Sequence, residues 1–305
     1  MRIGFSEGLI EAARRDTRVH VLTGDHGYAL FDEFRREFPE RFHNVGVAEA
    51  NMVGIAAGMA RNGIRPLIYG LASFVPNRVF EFIKLQIALD HLPVVIVGDG
   101  AGLVYSYLGK SHQTLEDLAL MGALEQIKTI SPASDQEMKK ALLWALLEEG
   151  PVYLRMGKSG GAYEGASQSE APEPIRVFSS NGIDNKPSRR ALVAHGAMVS
   201  KVQDLIENSQ LTKMDLWSCP TIFPVDAKFI QILKEHYSTI FVVEEHLLRG
   251  GLASELLIRL RASGVTVVPV CAKPNQQSSV GSYEWNLTQH ELSSSAILKA
   301  LETTP

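Results

Sequence analysis

The segment "RFHNVGVAEANMVGIAAGMA" (41–60) consists mainly of small and apolar residues and contains a single carboxylate, Glu49. If the segment forms a helix, the residues at positions i−4, i+3, i+4 and i+7 share a face with Glu49. Those residues are Val45, Met52, Val53 and Ala56. Glu49 then lies on the apolar face that packs against a core, where an ionised carboxylate needs a partner to offset its cost. Two interpretations remain: a surface glutamate on a helix with different boundaries, or a buried carboxylate with a function.

The composition indicates a globular protein with two domains. The chain has 305 residues, of which 45% are hydrophobic and 21% charged, enough for two cores. A net charge of −4 gives no reason to expect nucleic acid or an anionic membrane as a partner. The two cysteines, Cys219 and Cys271, predict structural thiols and no cysteine-rich metal site. The first residues are typical of an amphipathic helix and not of a signal peptide, and no apolar run is long enough to span a membrane, so we expect a cytoplasmic protein.

Apolar runs rich in β-branched residues alternate with helical patterns along the chain. The predicted strands of the first part are 19–24, 65–70, 93–98, 127–132 and 151–156, and those of the second part are 191–196, 214–219, 239–246 and 265–270. Nearly continuous apolar strands that alternate with helices predict mostly parallel sheets covered on both faces. We therefore expect two doubly wound α/β domains, at 1–160 and 189–305. The Gly-, Ser- and Pro-rich segment between them, 161–188, is predicted to be a linker with a short strand near "IRVF" (175–178).

Polar residues follow several strands of the first predicted domain, at the sheet edge where ligands bind in doubly wound folds. Asp25 follows the first strand, and the turn "GDGAG" (98–102) follows the third. This turn lacks the third glycine of a dinucleotide fingerprint. It also lacks the downstream asparagine that completes metal–diphosphate GDG motifs, because no asparagine lies between Asn77 and Asn181. His112 precedes a predicted helix, a position that suits either a surface histidine or a catalytic one.

The same segment, "RFHNVGVAEANMVGIAAGMA", together with "SHQTLEDLALM" (111–121), "GPVYLRMGK" (150–158), "PTIFPVD" (220–226) and "VVEEHLLRGGLASEL" (242–256), closely resembles the C-terminal half of transketolases. The chain looks most like the separate C-terminal subunit of split, two-gene transketolases. The resemblance implies a pyrimidine-binding domain for thiamine diphosphate followed by the small transketolase C-terminal domain. The 1-deoxyxylulose-phosphate synthases and the β subunits of 2-oxoacid dehydrogenases share this architecture, and the "AEANM" and "SHQ" motifs favour transketolase.

The resemblance implies roles for individual residues. Glu49 matches the glutamate that binds N1′ of the cofactor's aminopyrimidine, and His112 matches a histidine that contacts substrate oxygens and assists proton transfer. The other expected cofactor contacts are Asp25 near the thiazolium, Phe74 on the pyrimidine face, and Leu71 and Asn77 in the same pocket. Arg2 and Lys158 match contacts to the substrate phosphate, the second of which is usually arginine.

Three positions depart from the family pattern, all on the side of the acceptor substrate. A phosphate-contacting histidine is replaced by Gly100, an aspartate that reads a hydroxyl by Leu108, and an arginine by Lys158. A lysine offers phosphate a point charge where an arginine offers a two-pronged planar donor. We therefore expect transfer of a two-carbon ketol unit between sugars, with a sugar other than the usual phosphorylated ones.

The missing diphosphate motif implies a partner. We expect an N-terminal subunit that carries the diphosphate and metal site and holds Mg²⁺ or Ca²⁺, with no metal ligand on this chain, in a heterotetramer of two chains of each kind. Thiamine diphosphate is then shared between the subunits. Two alternatives stay open: a thiamine diphosphate-dependent synthase or dehydrogenase β-type subunit that decarboxylates a 2-oxoacid, and a subunit without catalysis that only supports its partner.

Overall fold

Two sheets organise the chain in the computed structural model, which describes residues 1–158, 169–180, 189–208, 213–275 and 280–302. The first sheet has seven strands in the order β10-β5-β6-β4-β3-β1-β2. Its strands are β1 (Val19–Thr23), β2 (Phe42–Asn44), β3 (Arg65–Leu71), β4 (Val95–Asp99), β5 (Lys128–Ile130), β6 (Val152–Met156) and β10 (Thr221–Phe223). All pairings are parallel except that of β10 with β5.

Helices cover both faces of this sheet. They are α1 (Arg2–Arg15), α2 (Asp32–Glu37), α3 (Glu49–Arg61), α4 (Phe80–Ile83), α5 (Asp117–Gly122) and α6 (Asp135–Ala145). Apolar residues of α1 and α6 form one core with the sheet, whereas α3, α4 and the π-helical turn after α4 form a core on the other face. The predicted doubly wound architecture of the first domain is confirmed.

The second sheet has five strands in the order β12-β11-β8-β9-β7. Its strands are β7 (Ile175–Phe178), β8 (Arg190–Ala194), β9 (Asp215–Ser218), β11 (Thr239–Leu247) and β12 (Thr266–Ala272). Around it lie α7 (Ala197–Asn208), α8 (Ala227–His236), α9 (Leu252–Leu260), α10 (Tyr283–Gln289) and α11 (Ser294–Glu302). Residues of α7, α10 and α11 pack on one face and those of α8 and α9 on the other. The second α/β domain is therefore also confirmed.

Two short strands connect parts of the chain that were predicted to be separate. One connects the linker with the second sheet, and the other connects the second half of the chain with the first sheet. β7 falls inside the predicted linker and pairs antiparallel with β9, so this part of the linker belongs to the second sheet. The linker residues 161–168 and 181–188 lie outside the described residues. β10 comes from the second half of the chain but pairs with β5 of the first sheet. The two domains are thus joined by backbone hydrogen bonds as well as by side chains.

Helix α3 begins at Glu49, so the prediction that Val45 shares a helical face with Glu49 is wrong. Val45 instead extends beside β1, and its backbone N–H donates to the carbonyl of Thr23 at 2.9 Å. The remaining expectation is confirmed. Glu49 is only 4% exposed, and Met52, Val53 and Ala56 are fully buried.

A buried ion pair ties the first sheet to the second domain. Arg155 on β6 donates through Nε to Asp117 Oδ2 at 2.8 Å and through Nη2 to the carbonyl of Glu245 at 3.0 Å. Tyr153 donates its hydroxyl to the same carboxylate oxygen at 2.7 Å. Burial alone would raise the pKa of Asp117, but the charge of Arg155 and these hydrogen bonds outweigh it, so the pKa lies below its ordinary value.

We expect Arg155→Met to destabilise the protein by about 3–5 kcal/mol, because it leaves the buried Asp117 carboxylate without a cation. Urea unfolding followed by circular dichroism measures the change. Arg18→Met is the matched control, since Arg18 is exposed and pairs with Asp16 at the surface, and it should change stability little. Equal effects of the two substitutions would contradict the structural role assigned to Arg155.

Candidate active site

The carboxyl ends of β1, β3 and β4 meet at one edge of the first sheet, because the three strands are adjacent and parallel. Three loops leave the sheet there: 24–31 after β1, 72–79 after β3 and 100–116 after β4. The head of α3 lies against the first of these loops. A Cβ built on Gly24 would lie 4.0 Å from Glu49 Cγ and 3.0 Å from the carbonyl of Gly46. The fold therefore brings Glu49 to the edge where doubly wound sheets bind ligands.

Glu49 is paired with Arg78, a residue that the sequence reasoning missed. Arg78 Nη1 lies 3.2 Å from Glu49 Oε1 and 3.1 Å from Oε2. The guanidinium carbon stands 4.2 Å from the centre of the Phe74 ring, a cation–π geometry. The side chain of Arg78 is 51% exposed, whereas that of Glu49 is 5% exposed. The buried carboxylate thus meets a half-exposed cation and not a wholly apolar environment.

Phe74 is the centre of an aromatic cluster that includes His112. The rings of Phe74 and His112 are 5.4 Å apart at 68°, and those of Phe74 and His26 are 6.1 Å apart. His112 lies on a short 3-10 turn, Lys110–His112, and its Nδ1 is 3.0 Å from Ser111 Oγ. Arg78 therefore links Glu49 to Phe74, and the Phe74 ring in turn contacts His112.

The loop after β3 holds the remaining residues of the predicted pyrimidine pocket. Leu71 ends β3, and its carbonyl accepts hydrogen bonds from the backbone N–H groups of Phe74 at 2.8 Å and Val75 at 2.6 Å. Asn77 follows in the same loop. Among the described residues, three buried side-chain atoms of this region have no hydrogen-bond partner: His26 Nε2, Ser73 Oγ and Asn77 Oδ1. Buried polar atoms are normally paired, so these three are suited to a polar ligand.

Asp25 is held in place by Asn44 at the end of β2. Its backbone N–H donates to Asn44 Oδ1 at 3.1 Å, and Asn44 Nδ2 donates to Asp25 Oδ1 at 3.1 Å. The backbone of Asp25 has a φ of 65°, which this side-chain pairing supports. Asp25 and Asn44 line a cavity of about 280 Å³ with Tyr28 and Arg35. Asp25 makes no described contact with Glu49, although a Cβ built on its neighbour Gly24 would lie 4.0 Å from Glu49 Cγ.

Asp99, at the end of β4, binds two tyrosine hydroxyl groups that no sequence pattern places together. Its Oδ2 accepts hydrogen bonds from Tyr69 at 2.7 Å and from Tyr105 at 3.0 Å. Arg2 Nη1 is 3.9 Å from the same oxygen, and Arg2 Nη2 donates to the carbonyl of Tyr28 at 3.0 Å. The Arg2 charge is therefore partly neutralised by an acid of this chain.

The ring of Tyr105 fills the space beside Gly100, the position where the family pattern has a histidine. A Cβ on Gly100 would lie 1.9 Å from Tyr105 Cε2, and the φ of Gly100 is +69°. Both the local packing and the backbone conformation thus require glycine here. Tyr105 had no signal in the sequence, since the turn that folds it back follows only from the three-dimensional structure.

Leu108 and Lys158, the other two altered positions, do not touch each other in any described contact. Leu108 is 48% exposed in a turn of the loop that carries His112. Lys158 Nζ lies 4.0 Å from Glu284 Oε1 and 4.0 Å from the centre of the Tyr283 ring. Like Arg2, Lys158 is paired with an acid of this chain, and it also lies over the Tyr283 ring.

The second domain fixes the loop that carries His112. Glu245 Oε1 accepts a hydrogen bond from the backbone N–H of Leu103 at 2.6 Å, and Tyr283 donates to Glu245 Oε2 at 2.9 Å. A bridge between Gly102 and Thr114 closes the loop at its base. The His112 loop is therefore held by residues of both domains.

Comparison with known proteins agrees with this arrangement. Residues 1–162 match the family model of the transketolase pyrimidine-binding domain, and residues 183–274 match that of the transketolase C-terminal domain. The chain belongs to the transketolase family. The resemblance inferred from sequence is thereby confirmed.

Relatives within the transketolase family carry two kinds of name. A putative transketolase C-terminal section of Methanocaldococcus jannaschii is 30% identical over 272 residues, covering 87% of this chain and 83% of that protein. A 1-deoxy-D-xylulose-5-phosphate synthase of Methylobacillus flagellatus is 28% identical over 301 residues, covering 98% of this chain and 48% of that protein. The chain thus spans about half the length of such synthases.

Solved structures support the same assignment. A structure described as a split gene transketolase, inactive beta4 tetramer, aligns with a TM-score of 0.83 at 27% identity and covers 99% of this chain and 96% of that chain. A transketolase from Campylobacter jejuni aligns with a TM-score of 0.80 at 17% identity, covering 99% of this chain and 46% of that one, and supports the fold alone.

Two further features are absent from the described residues. No group of three or more His, Cys, Asp or Glu side chains is placed to hold a metal ion within those residues. No helix in the same part of the chain is long and apolar enough to cross a membrane.

We expect Gly100→Ala to destabilise the chain more than Gly63→Ala does. Both glycines have positive φ, but a Cβ on Gly63 would meet nothing within 4 Å, whereas one on Gly100 would meet the Tyr105 ring. Gly63→Ala therefore measures the backbone cost alone, about 1–3 kcal/mol. Thermal and urea unfolding compare the two. The double variant Gly100→Ala/Tyr105→Ala should lack the extra destabilisation that the clash with the Tyr105 ring causes. If that extra destabilisation persists in the double variant, Tyr105 does not cause it.

Proposed function

We propose that this chain is the C-terminal subunit of a thiamine diphosphate-dependent, transketolase-like enzyme that transfers a two-carbon ketol unit between sugars. The observation that carries the proposal is the buried Glu49 carboxylate at the head of α3, adjacent through Arg78 to the Phe74 ring and His112. A carboxylate and an aromatic face at the ligand-binding edge of the sheet are what an aminopyrimidine needs.

The residues present fit the aminopyrimidine of thiamine diphosphate. Glu49 offers a buried carboxylate for the ring nitrogen N1′, and Phe74 offers a face for stacking. The buried, unpaired atoms His26 Nε2, Ser73 Oγ and Asn77 Oδ1 suit the polar edge of such a ring. When bound, the cofactor supplies the nucleophilic carbon that cleaves the donor sugar and carries the two-carbon unit.

We propose the roles of this chain's own side chains from the family resemblance, together with their positions. Glu49 holds a proton at N1′, and burial keeps water from competing for that proton. Phe74 and Leu71 hold the ring plane, and Asn77 lies in the same loop. Asp25, fixed by Asn44, places a carboxylate on the thiazolium side. His112, on a loop held by both domains, moves protons at the oxygens of the bound sugar.

The partner subunit is proposed to bind the apolar face next to Glu49. Five large apolar residues of α3, the α4 region and the loop before α3 are exposed: Val47, Ile55, Phe82, Leu85 and Leu89. Because α3, α4 and the π-helical turn after α4 pack in one core, exposed apolar residues on these elements suit an interaction site. We infer that an N-terminal subunit covers it, supplies the diphosphate site with Mg²⁺ or Ca²⁺, and forms a cytoplasmic heterotetramer of two chains of each kind.

We expect Leu85→Glu to prevent assembly with the N-terminal subunit, because it places a charge in the apolar interface. Ile258→Glu on α9 is the matched control, since Ile258 is also exposed but lies on the second domain. Size-exclusion chromatography with the two subunits measures assembly. Calorimetry on the single chain is the second test: micromolar thiamine diphosphate binding without the partner would show that this chain does not share its site.

The acceptor side supports a substrate other than the usual sugar phosphates. Arg2 is paired with Asp99 and Lys158 with Glu284, so both predicted phosphate contacts are partly neutralised. Gly100 offers no side chain, and exposed Leu108 and Tyr107 make the nearby loop apolar. Losing one charge-assisted hydrogen bond costs about 1.5–3 kcal/mol. We propose a modified, branched, sulfonated or carrier-linked sugar as donor or acceptor.

A second candidate function is supported by the names of the relatives. Several relatives at 28–31% identity are 1-deoxy-D-xylulose-5-phosphate synthases, so a decarboxylating reaction on a 2-oxoacid is the alternative. Both reactions use the same cofactor and the same role for Glu49. The two candidates therefore differ in substrate and product and not in the pyrimidine pocket.

The assembled complex separates the candidates. It is supplied with xylulose 5-phosphate and ribose 5-phosphate in one assay and with pyruvate and glyceraldehyde 3-phosphate in another. We expect slow ketol transfer without CO₂ release, and a loss of about 10²- to 10⁴-fold in Glu49→Gln because glutamine cannot exchange the proton. Release of CO₂ from pyruvate would favour the synthase reaction.

Two further outcomes test the proposed substrate and the proposed catalytic role of this chain. A kcat/KM above about 10⁴ M⁻¹s⁻¹ on the ordinary sugar phosphates would show that the altered acceptor positions do not redirect the substrate. Unchanged turnover in Glu49→Gln would show that this chain supports its partner without taking part in the chemistry.

A further inference from the structure

The guanidinium of Arg78 lies where the proposed function places an aminopyrimidine. It is planar, it faces the Phe74 ring at 4.2 Å, and its Nη1 contacts both oxygens of Glu49 at 3.2 and 3.1 Å. An aminopyrimidine is also planar, stacks on an aromatic face and binds a carboxylate through a ring nitrogen. The same two residues, Phe74 and Glu49, therefore meet the needs of both groups, and one planar group fits between them.

We propose that Arg78 occupies the pyrimidine subsite of the cofactor-free chain and that the cofactor binds by displacing it. The inference rests on the proposed function, because it assumes that Glu49 receives the pyrimidine. A buried carboxylate without a partner is costly, so the empty subsite needs a cation. Arg78 supplies that cation until the pyrimidine takes its place.

The surroundings of Arg78 allow it to leave. Its side chain is 51% exposed, so its charge can move into solvent at small cost. Both contacts with Glu49 are longer than about 2.7–2.9 Å, the usual length of a hydrogen bond between a cationic N–H group and a carboxylate. The ion pair is therefore weak. Both contacts use one nitrogen and not the two-pronged geometry of a tight arginine–carboxylate pair.

The displacement also changes the state of Glu49. Beside Arg78, the carboxylate is held as one half of an ion pair. With Arg78 displaced, the same carboxylate would face the ring nitrogen of the pyrimidine. The exchange thus keeps Glu49 paired with Arg78 until the cofactor is present, and the cost of opening that pair lowers the apparent affinity for the cofactor.

The test is the affinity of the assembled complex for thiamine diphosphate, measured by saturation-transfer NMR on the pyrimidine protons and by calorimetry. If Arg78 fills the subsite in at least about 90% of molecules, Arg78→Met should tighten binding about tenfold or more, because the competing group is gone. Arg78→Gln, which keeps a donor for Glu49 but no cation, should lie between. Arg61→Met, which removes a half-exposed arginine paired with Asp90, is the control and should bind as the wild type does.

A second measurement tests whether Arg78→Met loses stability together with its ion pair. Arg78→Met should lower the melting temperature of the cofactor-free complex, because Glu49 loses its partner, and saturating cofactor should remove most of the difference. Weaker binding in Arg78→Met would overturn the proposal and make Arg78 a cofactor ligand. Equal binding in wild type and Arg78→Met would overturn it as well. If the assembled wild-type complex and every variant fail to bind thiamine diphosphate, the proposed function itself is wrong, and this inference with it.

Discussion

The structure depends on one physical constraint, which is the burial of the Glu49 carboxylate at the first residue of α3. The position at a helix N-terminus favours a negative charge, and small residues along α3 let the helix pack closely on the sheet. Burial still requires a partner, and the loop after β3 supplies one by presenting Arg78 over Phe74. The course of that loop, the aromatic cluster around Phe74 and the exposed apolar face of α3 and α4 all lie around this carboxylate. A charge placed in a core is thus compensated by a movable cation, an arrangement that suits a binding site and not a rigid core.

The second domain contributes to the site by holding its loops. β10 extends the first sheet beside β5, Arg155 connects β6 with the backbone of β11, and Glu245 binds the loop that carries His112. Burial raises the pKa of the Glu245 carboxyl above its ordinary value, although Arg155, the Leu103 N–H and Tyr283 act in the opposite direction. The position of His112 is therefore determined by contacts across the domain boundary.

Much of the fold could be predicted from sequence because the strands are long apolar runs bounded by turns. The nine predicted strands were found, since they follow from local periodicity. For Glu49 the sequence left a surface and a buried position open, and the structure shows the buried one. The short strands β2 and β10 were missed, because three-residue strands carry too little pattern to stand out from loops. The prediction that Val45 shares a helical face with Glu49 was wrong, because α3 begins at Glu49, four residues later than that prediction assumed.

The site was only partly predictable, and for a physical reason. Glu49, Phe74 and His112 could be carried over from a family motif, but Arg78 contacts a carboxylate 29 residues away in sequence. Tyr105 fills the space beside Gly100 through a turn that no pattern indicates. Pairings of Arg2 with Asp99 and of Lys158 with Glu284 likewise depend on how separate elements meet. Sequence patterns can identify the candidate site residues. Tertiary packing determines which opposite charge pairs with each of them.

The most direct test of the account is a crystal structure of this chain assembled with its N-terminal subunit and thiamine diphosphate. The account predicts that a carboxylate oxygen of Glu49 lies within hydrogen-bond distance of the pyrimidine N1′, that the ring stacks on Phe74, and that Arg78 has moved away from both. Density for the cofactor elsewhere, or a pyrimidine bound while Arg78 still spans Phe74 and Glu49, would contradict it.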